Sequence, residues 1–101
     1  MAAADKLGGY AAGFGELNAD AIAANVTDDY KLLDKDGKTY GKGDLPGYVA
    51  ELRKIADKLV ITDVAVDGAT AWCKWQVGDI VGAGLITFGD EGVSREQLFY
   101  A

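Results

Sequence analysis

Residues 61–77 read ITDVAVDGATAWCKWQV and contain Asp67-Gly68, a dipeptide typical of a tight hairpin turn. The stretch before this turn is rich in β-branched residues. After it, residues 71–77 divide into an apolar face and a face with Lys74 and Gln76, because side chains along a strand point to opposite faces in turn. The sequence therefore predicts two antiparallel strands, 59–66 and 71–77. The period of two, rather than three to four, excludes an amphipathic helix here.

The two tryptophans of the second strand fall on opposite faces. Trp75 shares its face with Cys73 and Val77, so this face is predicted to contact the helices. Trp72 shares the other face with Lys74. An outward tryptophan indicates a covered surface, which predicts a homodimer contact through the outer sheet face. The alternative is a single exposed aromatic residue beside a lysine.

The same period continues towards the carboxyl end. It predicts strands over 81–88 and 93–100, joined by a turn at 89–92, while the facing of residues 98–100 stays open.

On the other side of the hairpin, Asp44 is a candidate helix cap and Pro46 lies in the predicted first turn. The apolar stripe of that helix comprises Leu45, Tyr48, Val49, Leu52, Ile55, Ala56 and Leu59.

The first third of the chain adds two helices and a strand. A second, short helix is predicted to begin at Asp20, and residues 30–35 switch to strand alternation. The apolar face of the first helix comprises Leu7, Tyr10, Ala11, Phe14 and Leu17. The order helix, helix, strand, helix, antiparallel meander predicts a single α+β domain over 1–101, in which a bent sheet carries the helices on its concave side.

The amino-acid composition limits the partners and the kinds of catalytic or metal site that the chain can have. Ten basic and sixteen acidic residues give a net charge of −6, which argues against nucleic acid and membrane surfaces as partners. The absence of histidine and the single Cys73 exclude most zinc sites, Ser-His and Cys-His nucleophiles and an intrachain disulfide. No cofactor and no metal are expected. Neither a transmembrane run nor a signal peptide is predicted, and a cytoplasmic location is expected.

Two side chains are candidates for acid–base chemistry. Asp34 shares its predicted face with Tyr30 and Leu32, so it would lie among apolar neighbours that raise the pKa of a carboxylic acid. Tyr10 lies on the apolar face of the first helix and could hydrogen-bond Asp34 or an oxyanion. The alternatives are an exposed carboxylate beside a polar turn, and a core tyrosine whose hydroxyl lies at the boundary.

Four segments carry a family resemblance: YAAGFGELNAD (10–20), ANVTDDYKLLD (24–34), the 61–77 hairpin and GAGLITFGDEGVSREQLFY (82–100). In their order and spacing they resemble the nuclear transport factor 2-like superfamily, and more closely its SnoaL-like polyketide cyclase and ketosteroid isomerase-like branches. The resemblance implies a cone-shaped α+β barrel. In it a curved antiparallel sheet wraps a long helix, and an apolar pocket lies at the open end.

The resemblance also implies an activity, that of an isomerase or cyclase for a small apolar carbonyl compound. Asp34 falls at the position of the family's base and Tyr10 at that of its oxyanion donor. The family also has a third group, a protonated acid that donates a second hydrogen bond to the oxyanion. Its position falls near Gly84, which has no side chain to donate. Lys35 stands where a proline often follows the base. The pocket is expected to be lined by Phe14, Tyr30, Leu32, Trp75, Ile86 and Phe88.

Two other functions stay open. One is epoxide hydrolysis, for which Arg53 and Asp63 would be needed. No spacing unites them with Asp34, so this is the less favoured activity. The other is a non-catalytic dimeric ligand-binding or scaffold module, with Trp72 as an interface residue, because fold does not determine function. The sequence does not identify the ligand or substrate.

Overall fold

The computed structural model describes residues 2–101, which form three α-helices, one short 3-10 helix and six strands. The helices are α1 (Ala2–Gly15), α2 (Ala19–Ala23) and α3 (Leu45–Arg53), with the 3-10 turn Lys42–Asp44 directly before α3. The strands are β1 (Val26–Leu33), β2 (Thr39–Gly41), β3 (Leu59–Asp67), β4 (Thr70–Val77), β5 (Ile80–Gly89) and β6 (Gly92–Tyr100).

All six strands form one curved sheet in the order β2-β1-β6-β5-β4-β3, with the helices on its concave face. The predicted α+β architecture is therefore confirmed, and the 61–77 hairpin pairs in the expected antiparallel register, with Ile61 opposite Trp75. One prediction about the sheet is wrong, because β1 pairs with β6 in parallel. A parallel pair needs a long crossover, and the chain from β2 to β5 provides it.

The segment before β3 differs from its prediction in three ways. A short strand, β2, was not predicted; it pairs with β1 across the turn at 35–38. The Asp44 carboxylate does not cap α3, since it accepts the Gly41 N–H at 2.8 Å and thereby stabilises the 3-10 turn. Helix α3 ends at Arg53, short of the predicted stripe, because Leu59 pairs with Val77 in the sheet.

The strand ends define a cone with one open end. The carboxyl ends of β1, β4 and β6 lie there beside the amino ends of β3 and β5. This follows from the parallel pairing of β1 with β6 and the antiparallel pairing of the strands from β6 to β3. The hairpins β3–β4 and β5–β6 close the opposite end. Helix α1 fills the interior with Tyr10 and Phe14, which are 1% and 5% exposed. The space left between α1, α3 and the sheet is at the open end.

No helix within residues 2–101 has both the length and the apolar content needed to cross a membrane.

Candidate functional site

A cavity of about 80 Å³ lies between α1, α3 and the concave face of the sheet. Ile55 and Ile80, in its wall, are 48% and 38% exposed and mark its opening at the open end of the cone. Among the residues that the structure describes, Glu96 is the only acidic or basic side chain in the wall. The aromatic side chains in the wall are Tyr10, Phe14, Tyr48, Trp75 and Tyr100.

The predicted pocket residues divide into two groups. Phe14, Leu32, Trp75 and Ile86 lie in the wall of the cavity, together with Tyr10. Two predictions need correction, since Tyr30 and Phe88 are buried but do not line it. The Tyr30 hydroxyl lies behind the wall, 2.7 Å from the Tyr10 hydroxyl. Phe88 lies towards the β5–β6 hairpin, at the closed end of the cone.

Glu96 forms the polar floor of the cavity. It is 6% exposed, because its position on β6 opposite Ile86 directs the side chain to the concave face. The Tyr10 hydroxyl donates a hydrogen bond to Glu96 Oε1 at 2.5 Å. Since that hydroxyl has one proton, the contact between Tyr30 and Tyr10 must be donated by Tyr30. The three side chains therefore form a directed chain that ends on the carboxyl group.

Gly84 makes room for this carboxyl group. A Cβ atom built on Gly84 would overlap Glu96 Oε2 and would lie 3.4 Å from Cys73 Sγ. The sequence places the third site position near Gly84, which has no side chain to donate. In the structure the carboxyl group of Glu96, on the neighbouring strand, occupies the space next to Gly84. Glu96 alternates with Leu98 and Tyr100, a signal that would have found it once the face of β6 was known.

Burial sets the protonation of the groups around the cavity. It raises the pKa of Glu96 to about 7, and the hydrogen bond from Tyr10 opposes that rise. Burial and the neighbouring Glu96 charge raise the pKa of Tyr10 well above its usual value, so this phenol stays neutral. The same two causes raise the pKa of Cys73 to about 11. Glu96 therefore titrates near neutrality, whereas the Cys73 thiol stays protonated and is a poor nucleophile.

Asp34 does not lie in the wall of the cavity. It follows the end of β1 at the open end of the cone, and its Oδ1 accepts the backbone N–H of Lys35 at 2.7 Å. Tyr100 lines the cavity, and burial, and then the nearby Asp34, raise the pKa of its hydroxyl. A hydrogen bond between Tyr10 and Asp34, one of the two possibilities for Tyr10, is not formed, because the strand ends before Asp34 and the Tyr10 hydroxyl bonds Glu96.

Arg53 and Asp63 are bonded to groups other than those of this site. The Arg53 Nε donates to the Leu17 carbonyl at 3.0 Å, and Asp63 lies at an irregularity of β3 where it pairs with Lys74 at 3.5 Å. Neither residue lines the cavity. The arrangement of carboxylates and arginine that epoxide hydrolysis needs is therefore not formed at this site.

The outer face of the sheet carries an apolar patch. Trp72 is 47% exposed, and its ring lies 5.6 Å from that of Phe99, which is 43% exposed. Val60 and Val81 project from the neighbouring strands and are 54% and 43% exposed. We call these four residues the outer patch. Its aromatic centre is built by two strands, β4 and β6, on either side of β5.

Solved structures share this arrangement of helices and strands. One is a protein of unknown function with a cystatin-like fold from Methylobium petroleophilum, with a TM-score of 0.81, 16% identity, and 99% of this chain and 76% of that chain covered. A proposed polyketide cyclase from Sinorhizobium meliloti has a TM-score of 0.77 and 19% identity, with 93% of each chain covered. A proposed ketosteroid isomerase from Kribbella flavida has a TM-score of 0.77 and 21% identity, with 96% of this chain and 76% of that chain covered.

The chain has the nuclear transport factor 2-like fold. The expected resemblance is therefore confirmed at the level of the fold. No family model matches the sequence, and no curated protein matches it. Because identities near 20% in a nuclear transport factor 2-like fold do not carry an activity, function has to be argued from the cavity itself.

Proposed function

We propose that the cavity binds a small apolar carbonyl compound and that the protein is an acid–base isomerase or cyclase. The observation that carries this proposal is the Glu96 carboxyl group, buried at the floor of an apolar cavity and bonded there by Tyr10. A carboxylic acid with a raised pKa in an apolar site can stay neutral and donate a hydrogen bond to an oxyanion. The other lining side chains would contact the hydrocarbon part of the ligand.

The hydrogen-bond chain directs the acid proton towards the ligand. Glu96 Oε1 accepts from Tyr10, so the proton of neutral Glu96 resides on Oε2, beside Gly84. From there it donates to the carbonyl oxygen of the ligand and stabilises the negative charge that develops on that oxygen. Tyr10 thus acts through Glu96 as a positioning residue, and Tyr30 holds Tyr10 in turn.

Asp34 is the proposed base of this reaction. From the open end of the cone its carboxylate would remove a proton from the carbon next to the carbonyl, and the electron pair would move to the oxygen bound by Glu96. Return of the proton at another carbon gives the isomer, whereas attack of the enolate on a second carbonyl gives ring closure. Tyr100, between Asp34 and the cavity, would orient the base.

Asp34→Asn is expected to lower turnover of small β,γ-unsaturated ketones by at least about 100-fold, because a positioned base contributes about that much or more. The rate is measured by the absorbance of the conjugated product. Asp90→Asn, the same change in the exposed β5–β6 turn, is the matched control and should keep the wild-type rate. Unchanged turnover in Asp34→Asn, with the fold intact, would remove Asp34 from the mechanism.

A non-catalytic ligand-binding module is the second candidate function, and the size of the cavity favours it. Its volume of about 80 Å³ is smaller than the ~150 Å³ of an apolar cavity that binds benzene, so a steroid does not fit without movement of the wall. A ligand that raises the melting temperature but is never converted, in wild type and Asp34→Asn alike, would establish this function.

The buried free thiol of Cys73 is compatible with the proposed cytoplasmic location.

The outer patch is the proposed homodimer contact. Trp72 and Phe99 would form its centre, because large aromatic side chains dominate the binding energy of interfaces. Trp72→Ala is therefore expected to weaken dimerisation by at least about tenfold, as measured by sedimentation over a concentration series. Val66→Ala, an exposed apolar residue outside the outer patch, should not change it. If wild type and Trp72→Ala are both monomers at micromolar concentration, the proposed interface is wrong.

A further inference from the structure

The wall of the cavity is unusually aromatic. Tyr10 and Phe14 meet edge to face with ring centroids 5.0 Å apart, and Trp75 meets Tyr100 in the same way at 5.1 Å. Tyr48 adds a fifth ring, 6.5 Å from Phe14. The face of an aromatic ring carries negative potential and attracts cations, most strongly where water is excluded. A ligand inside this cavity therefore lies among aromatic rings, which bind positive charge through their faces.

Glu96 strengthens that preference. Within residues 2–101, the Tyr10 bond to Oε1 is the only side-chain hydrogen bond that reaches Glu96, so Oε2 keeps its accepting capacity. No lysine or arginine among these residues lines the cavity to balance a carboxylate there. Buried carboxylates are ordinarily paired with a cation. The protein leaves this counter-charge to be supplied by whatever enters the cavity.

We propose that the same cavity binds a small primary alkylammonium ion, which donates N–H bonds to Glu96 Oε2 and packs its alkyl group among the aromatic rings. This inference goes beyond the proposed function and does not depend on it, because the two ligand classes use different forms of Glu96. A carbonyl compound selects the neutral acid as a hydrogen-bond donor. An alkylammonium ion selects the carboxylate as an acceptor.

Two further observations support a cation of this kind. Lys35 Nζ already lies 4.4 Å from the centroid of the Tyr100 ring, so a ring of this cluster binds an ammonium group within the protein itself. The net charge of −6 attracts small cations to the molecule. The cavity volume of about 80 Å³ limits the alkyl group to a few carbons. A short, branched or linear alkylamine therefore fits better than a long polyamine.

The test compares three probes with one carbon skeleton: isopropylammonium, 2-propanol and acetone. Binding is followed by the indole N–H signals in NMR spectra, since Trp75 lines the cavity and Trp72 on the outer face is an internal control. Isopropylammonium is expected to shift the Trp75 signal with a Kd of about 0.1–10 mM, the range open to so small a ligand. 2-Propanol should bind at least about tenfold more weakly, because it lacks the charge.

The pH supplies a second readout. Isopropylammonium keeps its charge up to about pH 9, as lysine does. Any change of its affinity with pH below that value therefore comes from the ionisation of Glu96. With the pKa of Glu96 at about 7, the affinity should rise about tenfold between pH 6 and pH 8 as the carboxylate becomes populated. The other titratable groups facing Glu96 have raised pKa values and stay neutral there; they are Tyr10, Tyr30, Tyr48, Cys73 and Tyr100.

Glu96→Gln is expected to weaken isopropylammonium binding by at least about tenfold and to abolish its pH dependence. Glu16→Gln makes the same change at an exposed site and controls for net charge. Equal affinity for isopropylammonium and 2-propanol, or a flat pH profile in the wild type, would overturn the proposal even if Glu96→Gln does not fold. Failure here leaves ketone turnover untouched, and unchanged turnover in Asp34→Asn leaves cation binding untouched, so the two proposals fail separately.

Discussion

The wild-type protein should lose about 3 kcal/mol of its free energy of unfolding, relative to Glu96→Gln, as the pH rises from 4.5 to above 7. Burial raises the pKa of Glu96 from 4.5 to about 7 in the folded protein. Between these values the folded state binds more protons than the unfolded state, so stability falls with rising pH. A shift of that size corresponds to about 3 kcal/mol, since one pKa unit is about 1.4 kcal/mol.

Urea unfolding of both proteins at a series of pH values measures this difference. Taking the difference between wild type and Glu96→Gln cancels the carboxylates that the two proteins share. Glu16→Gln, at an exposed site, should run parallel to the wild type throughout. If the wild type and Glu96→Gln also run parallel, then the pKa of Glu96 is the same in the folded and the unfolded protein, the carboxyl group is ionised at neutral pH, and its role as a neutral donor is wrong.

Gly82→Ala should destabilise the protein by about 3 kcal/mol, at the upper end of the range for overpacked cores. Gly82 lies on β5 between Trp75 and Tyr100, and a Cβ atom there would come within 2.5 Å of Trp75 Cζ2. It would lie closer still to the backbone carbonyl oxygen of Phe99. That oxygen belongs to β6 and cannot move without disturbing the pairing of the two strands.

The control for this substitution is Gly47→Ala in α3. A Cβ atom on Gly47 meets nothing within 4 Å, and the position is exposed. Alanine has the higher helix propensity, so this variant should gain up to about 1 kcal/mol. Thermal and urea unfolding of both variants give the signs directly. A neutral effect of Gly82→Ala would mean that β5 and β6 separate easily, which contradicts the close packing described for this part of the sheet.

The 61–77 hairpin could be predicted because its information is local. Alternation in a strand places Trp72 and Trp75 on opposite faces whatever the rest of the chain does, and the structure has them so. The end of α3 could not be predicted in this way. Leu59 fits both the helical stripe and the predicted strand 59–66, and only its pairing with Val77 in the sheet shows which of the two local patterns is formed.

Glu96, the acid of the candidate site, could not be identified from the alternation of residues in the sequence alone. Glu96 reaches the cavity only if β6 presents that residue to the concave face, and a slip of one residue would turn it to the outside. The sequence also led to the opposite inference at Gly84, because a missing side chain suggests a missing group. Only the pairing of β5 with β6 shows that the space above Gly84 belongs to Glu96.

The α+β class, the hairpin, the inward Trp75 and the outward Trp72 could all be inferred from the amino-acid order, since each follows from the spacing of neighbouring residues. The carboxyl group that meets Tyr10 could be identified only from the folded chain. The chain separates Tyr10 from Glu96 by 86 positions, and no local period relates them. Strand register and the fit of α1 into the cone bring them together, and these depend on packing of the whole chain.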